Sequence, residues 1–134
     1  MVEPGPYYMM HVRLNEQIMY CKDERERIEL CLADVEIAQG FINDWELYER
    51  LSEQERKANA EKFGWEYRPS GPAHLPGYRS FLTLAIHYER RGEYQAAIDI
   101  CEQALALGLT IEHTKSGTAG RIARLRKKLE GASK

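Results

Sequence analysis

Two apolar stripes of helical period, separated by a short turn, constrain this chain more than any other feature. Phe81, Leu84, Ala85 and Tyr88 fall at i, i+3, i+4 and i+7, one face of a helix. Gly92 interrupts the pattern. Tyr94, Ala97, Ile98, Cys101, Ala104 and Leu105 then repeat it until Gly108. Two amphipathic helices joined by so short a turn pack antiparallel, because each has a stripe to bury. Ile122, Leu125 and Leu129 form the inner face of a further helix over 117–130, with 110–117 as the loop before it. Ser116 or Thr118 is its expected cap.

The N-terminal half, 10–63, shows the same period less cleanly. Leu14, Ile18 and Cys21 recur at helical spacing, and Ile28, Cys31, Leu32, Val35 and Ala38 do so again. The polar run Lys22-Asp23-Glu24-Arg25 between them predicts a tight turn and an antiparallel pair, with Gly40 as the second helix's stop. A third helix carries Phe41, Trp45, Tyr48 and Leu51 on one face. Ser52-Glu53-Gln54-Glu55 matches a capping box, which predicts a fresh start or a kink there. The polar stretch on to Lys62 is anchored mainly by Ala58 and Phe63. Pro69, Pro72 and Pro76 then disfavour helical geometry, so 64–76 reads as an ordered linker leading into the hairpin at 77–109. No β-branched alternation predicts a strand. The expected fold is all-α: antiparallel helical hairpins closed by N-terminal helices and a C-terminal helix, with 1–134 as one domain.

Composition sets the outer limits. A chain of 134 residues can bury a substantial core, and 43% apolar with 30% charged residues excludes a disordered polymer. No window approaches eighteen uninterrupted apolar residues, so no membrane span is expected. Met1-Val2-Glu3-Pro4-Gly5-Pro6 does not read as a signal peptide, which points to a cytoplasmic protein. Cys21, Cys31 and Cys101 leave one thiol unpaired in any disulfide scheme and form no Cys-x-x-Cys, so they read as reduced, buried small hydrophobes. The net charge of −2 conceals a polarity. Arg121, Arg124, Arg126, Lys127, Lys128 and Lys134 make the C-terminal segment basic, while the stretch from Glu16 to Glu61 is acidic.

The segment from Phe81 to Leu109 resembles one tetratricopeptide (TPR) repeat, a helix-turn-helix unit of 34 residues. Phe81, Leu84, Ala85 and Tyr88 match its first helix, Gly92 and Tyr94 its turn, and Ala97, Cys101 and Ala104-Leu105 its second helix. Small residues at 85, 97 and 104 allow the close approach such a hairpin needs. Gly108-Leu109 stands where the family usually ends in proline. The chain also resembles short prokaryotic proteins with a single TPR-like unit followed by a Thr-Lys-x-Gly loop and a Gly-Arg-Ile-x-Arg-Leu helix. Here that stretch is Thr114-Lys115-Ser116-Gly117-Thr118-Ala119-Gly120-Arg121-Ile122-Ala123-Arg124-Leu125. This second resemblance implies an architecture and no particular activity.

The TPR resemblance implies a protein or peptide partner held on the face of the first helix. By position that face carries Arg79, Leu82, Thr83, Ile86, Glu89 and Arg90. Arg79 and Arg90 would suit an acidic or extended segment, whereas Thr83 replaces the asparagine of members that clamp a carboxylate. Two alternatives stand beside peptide capture. Leu82 and Ile86 can pack against the third helix, with Phe41 and Trp45 filling the groove, or the surface can serve self-association. A separate reading comes from Arg121, Arg124 and Lys128 at i, i+3 and i+7, reinforced by Lys115. They form either an anion-binding face or a solvated one whose cations suit a helix C-terminus. Nucleic acid is not the expected partner, because the basic excess does not extend over the whole domain.

No catalytic or metal constellation emerges. His11, His74, His87 and His113 are isolated, and no Gly-x-Ser-x-Gly elbow occurs. Glu46 with Arg50, and Glu53 with Lys57, read as helical ion pairs. Lys115-Ser116 lacks the Walker glycines, since Thr114 and Leu109 occupy their places. The expectation is a non-enzymatic protein-interaction module without cofactor, with an anion- or nucleic-acid-binding accessory role as the alternative.

Overall fold

The computed structural model describes residues 3–69, 78–109, 111–112 and 115–132. They form six helices and, among the described residues, no strand: α1 (Pro6–Tyr20), α2 (Glu24–Glu36), α3 (Ala38–Phe63), α4 (Arg79–Arg90), α5 (Tyr94–Ala106) and α6 (Gly117–Ala132). No helix among these residues is long and apolar enough to cross a membrane.

The helix starts follow from local chemistry. Pro6 occupies the first turn of α1, where its missing N–H would have been an orphan anyway. Two further orphans of that turn, the Tyr7 and Tyr8 amides, donate to the Asp44 carboxylate at 2.6 and 3.3 Å. Asp23 caps α2 by accepting from the Arg25 amide at 3.2 Å, and Glu24 and Glu26 in the first turn suit the helix dipole. The polar run 22–25 is therefore a turn leading into a capped helix, as its composition implies.

α4 and α5 form the antiparallel hairpin. Gly92, at φ 75°, makes the left-handed turn between them that a side chain would strain. Ala85, Ala97 and Ala104 are fully buried. α5 lies between α4 and α6, and α2 packs on the other side of α4. α1 lies against both α2 and α3. One core gathers Cys31, Phe41, Tyr78, Phe81 and Leu84; a second gathers Ala85, Ile98, Cys101, Ile122 and Leu125.

The N-terminal half departs from the sequence pattern in five places. Gly40 does not end α2, which stops at Glu36; it sits in the first turn of α3. A Cβ there would come within 2.6 Å of the Tyr7 ring, so this glycine serves close packing of α1 on α3. Leu32, which the periodicity places inward, is 37% exposed, and Asp34 is buried instead. α3 continues unbroken through Ser52, so the capping-box match produces no new start. Along its 26 residues, about 39 Å, Leu51, Ala58 and Phe63 are exposed while Ala60 is buried. Glu53 and Lys57 both turn to Tyr67 rather than forming their own pair: the Tyr67 hydroxyl donates to Glu53 at 2.6 Å, and Lys57 Nζ lies 5.9 Å from the ring centroid. The start of the linker, 65–69, is non-helical. Its remainder at 70–76, with His74, lies outside the described residues, as do Thr110, His113 and Thr114.

Candidate functional site

Arg79, Thr83, Ile86 and Arg90 fall at i, i+4, i+7 and i+11 of α4, away from its core stripe of Phe81, Leu84 and Ala85. The facing wall comes from the end of α1 and the start of α2. Three cavities follow one another between these walls. The first, about 380 Å³, is lined by Asn15, Ile18, Met19, Arg79, Ser80 and Thr83. The second, about 400 Å³, shares Thr83 and adds Lys22, Arg27, Ile28 and Ile86. The third, about 550 Å³, shares Glu24, Ile28, His87 and Arg90 with the second and reaches Arg91. Together they make one groove along α4. Phe41 and Trp45 stack on Tyr8 and line none of these cavities.

Cations dominate this groove. Among the described residues Lys22, Arg79 and Arg90 have no carboxylate partner. Arg27 Nη2 donates to the Cys21 carbonyl at 2.5 Å, which fixes its guanidinium beside Ile28. Glu24 is the one carboxylate of the middle cavity, with its Oε1 3.9 Å from His87 Nδ1.

Leu82 and Glu89 lie elsewhere. Leu82 is half-buried against the core that contains Phe41 and Tyr78. Glu89 faces α6: Lys128 Nζ donates to it at 2.8 Å, and Arg121 Nη1 lies 3.4 Å away. Arg121 also makes a bidentate pair with Glu112, at 2.9 and 3.0 Å. Hydrogen bonding to Glu112 raises the Arg121 pKa further, so its charge is permanent. The Lys128 hydrogen bond, outweighing partial burial, holds the Glu89 carboxyl below its ordinary value. Arg121 and Lys128 of the basic stripe are thus spent on a seam between α4, residue 112 and α6. Arg124 and Lys115 remain exposed.

The most enclosed polar cluster is absent from the sequence reading. Asp34 is 0% exposed, yet its carboxylate is well supplied. His11 Nδ1 lies 2.8 Å from Oδ1, the Tyr78 hydroxyl donates to the same oxygen at 2.8 Å, and Ser80 Oγ donates to Oδ2 at 2.6 Å. The Tyr78 hydroxyl also meets the Asp34 carbonyl oxygen. One proton lies between His11 Nδ1 and Asp34 Oδ1. Burial first, and the Asp34 charge second, push the Tyr78 hydroxyl pKa upward, which keeps it a donor. Ser80 donates to a carboxylate rather than to an imidazole, which is not the geometry of an activated nucleophile. The cluster ties α1, α2 and the start of α4 together. No spacing in the sequence marks it, because the apolar stripe of α2 runs through Ile28, Cys31, Leu32 and Val35 without needing position 34. Among the described residues, no group of three or more His, Cys, Asp or Glu side chains is placed to hold a metal ion.

No family model, no curated protein and no solved structure matches this chain.

Proposed function

We propose that this chain is a non-enzymatic protein-interaction module of TPR-like build that holds an extended, acidic segment of a partner in the groove along α4. The continuity of the three cavities carries this reading. From Arg79 to Arg91 the groove runs about 18 Å, the length of roughly five extended residues. Ile28 and Ile86 offer an apolar floor, and Lys22, Arg79 and Arg90 offer charges that no carboxylate among the described residues neutralises. The TPR-like build draws support from the α4–α5 hairpin, its Gly92 turn and its three buried alanines, with α6 stacked as the next helix. The basic stripe of α6 is the weaker anion site, because Arg121 and Lys128 already have partners.

A blocked peptide of sequence Glu-Glu-Ile-Glu-Glu, titrated while amide shifts are followed by NMR, tests the reading. The expected shifts map to α4 and the α1–α2 turn. Lys22→Glu combined with Arg90→Glu should weaken binding about tenfold or more. Arg124→Glu should leave it unchanged. Absence of binding, or loss with Arg124→Glu instead, would overturn the groove as the site.

A further inference from the structure

Opposite its packed side, α1 turns apolar side chains to solvent, with Met19 at the edge of the groove. Tyr8, His11, Asn15 and Ile18 face the body of the protein, while Tyr7, Met9, Met10, Val12, Met19 and Tyr20 are exposed, the last two at 72% and 73%. The solvent face of α2, by contrast, is mostly charged, with Glu24, Arg25, Glu26, Glu29 and Glu36 exposed. Met9, Met10, Val12 and Tyr20, which flank the outermost stripe, leave on the order of 400 Å² of apolar α1 surface. Two such faces brought together reach about 800 Å², the size of a weak, reversible contact.

The charges on this face are self-complementary. Met9, Arg13, Glu16 and Tyr20 occupy i, i+4, i+7 and i+11, the stripe farthest from the core. Arg13 and Glu16 are exposed, and neither has an ion-pair partner among the described residues. Consider a second copy of α1 laid antiparallel about a two-fold axis between residues 14 and 15. Arg13 then stands opposite Glu16 of the second copy, and Met9 opposite Tyr20, each contact occurring twice. Val12 and Met19 meet along one flank. A parallel arrangement would instead set Arg13 against Arg13.

We infer that α1 is a homodimer interface, in which two copies pack this helix antiparallel with paired Arg13–Glu16 contacts at its centre. The surface meets the groove at Met19, which also lines its first cavity, but the central Arg13–Glu16 stripe lines none of the three cavities and stands independently of what the groove binds. Sedimentation equilibrium over a wide concentration range tests it. The wild-type chain should reversibly dimerise. Arg13→Glu and Glu16→Arg should each weaken the dimer about tenfold or more through like-charge contacts. Mixing these two variants in equal amounts should restore it, because each supplies the charge the other lacks. Both positions are exposed, so the circular dichroism spectrum, and the melting temperature at concentrations where every chain is monomeric, should stay unchanged. A wild-type chain that is monomeric throughout leaves the face to another occupant and overturns the inference. So does a dimer indifferent to both substitutions, or a mixture no tighter than the separate variants.

Discussion

Two polar junctions hold α4 in place, and they work by opposite means. On one side Asp34 joins α2 to α1 and α4 with no solvent exposure, through two hydroxyls and an imidazole. On the other side Glu89, Glu112, Arg121 and Lys128 join α4 to α6 as alternating full charges, part-exposed to water. A buried carboxylate must have its oxygens filled, because water cannot replace a missing donor. A wet ion pair can lose a partner and rehydrate. The dry junction therefore acts as a unit, and the wet one as separable pieces.

Asp34→Ala should be the most damaging single change. It strands the Ser80 hydroxyl and His11 Nδ1 in the core and leaves the Tyr78 hydroxyl only the backbone carbonyl of residue 34, a loss of about 3–5 kcal/mol of unfolding free energy by urea titration. Arg121→Met comes next, at about 2 kcal/mol, because Glu112 is only 10% exposed and loses both hydrogen bonds at once. Lys128→Met should cost under about 1 kcal/mol and the difference should vanish in high salt, since Lys128 Nζ sits at a half-exposed end of the seam. If Lys128→Met proved as costly as Asp34→Ala, the contrast between dry and wet junctions would be wrong.

The two junctions also differ in how far sequence could reveal them. The hairpin was legible because its stripes, its small residues and Gly92 all agree on one packing. The all-helical class followed for the same reason. Leu32 and Asp34 were not legible, since periodicity assigns the inward side to apolar residues and says nothing of which polar residue will find donors. Those donors, His11, Tyr78 and Ser80, stand 23 to 46 positions away. Likewise Arg121 and Lys128 form a basic stripe in sequence, and only the fold brings Glu89 to them from 32 and 39 positions away. The cation-rich stripe of α4 was visible from Arg79 and Arg90. Its opposite wall, from Lys22 to Ile28, needed the packing of α2 on α4.

Acid titration separates the wet junction from the dry one with the smallest perturbation. Glu89 titrates below its ordinary range because of its hydrogen bond to Lys128 and the charge of Arg121. A carboxyl depressed in the folded state adds stability above its unfolded pKa, about 4.3, and that contribution is lost as pH falls through the lower folded value. Glu89→Gln keeps the side-chain shape and removes the titration. The wild-type melting temperature should thus exceed that of Glu89→Gln at neutral pH, and the gap should close as pH falls below the unfolded value of about 4.3. Other carboxylates titrate alike in both proteins, so their effects cancel in the difference. The same comparison in an Asp34→Ala background should show the same closing gap, because the two junctions lie on different faces of α4 and share no residue. A gap that changed size in that background would mean that α4 transmits the loss of one junction to the other, and the dry and wet halves would then be one cooperative unit.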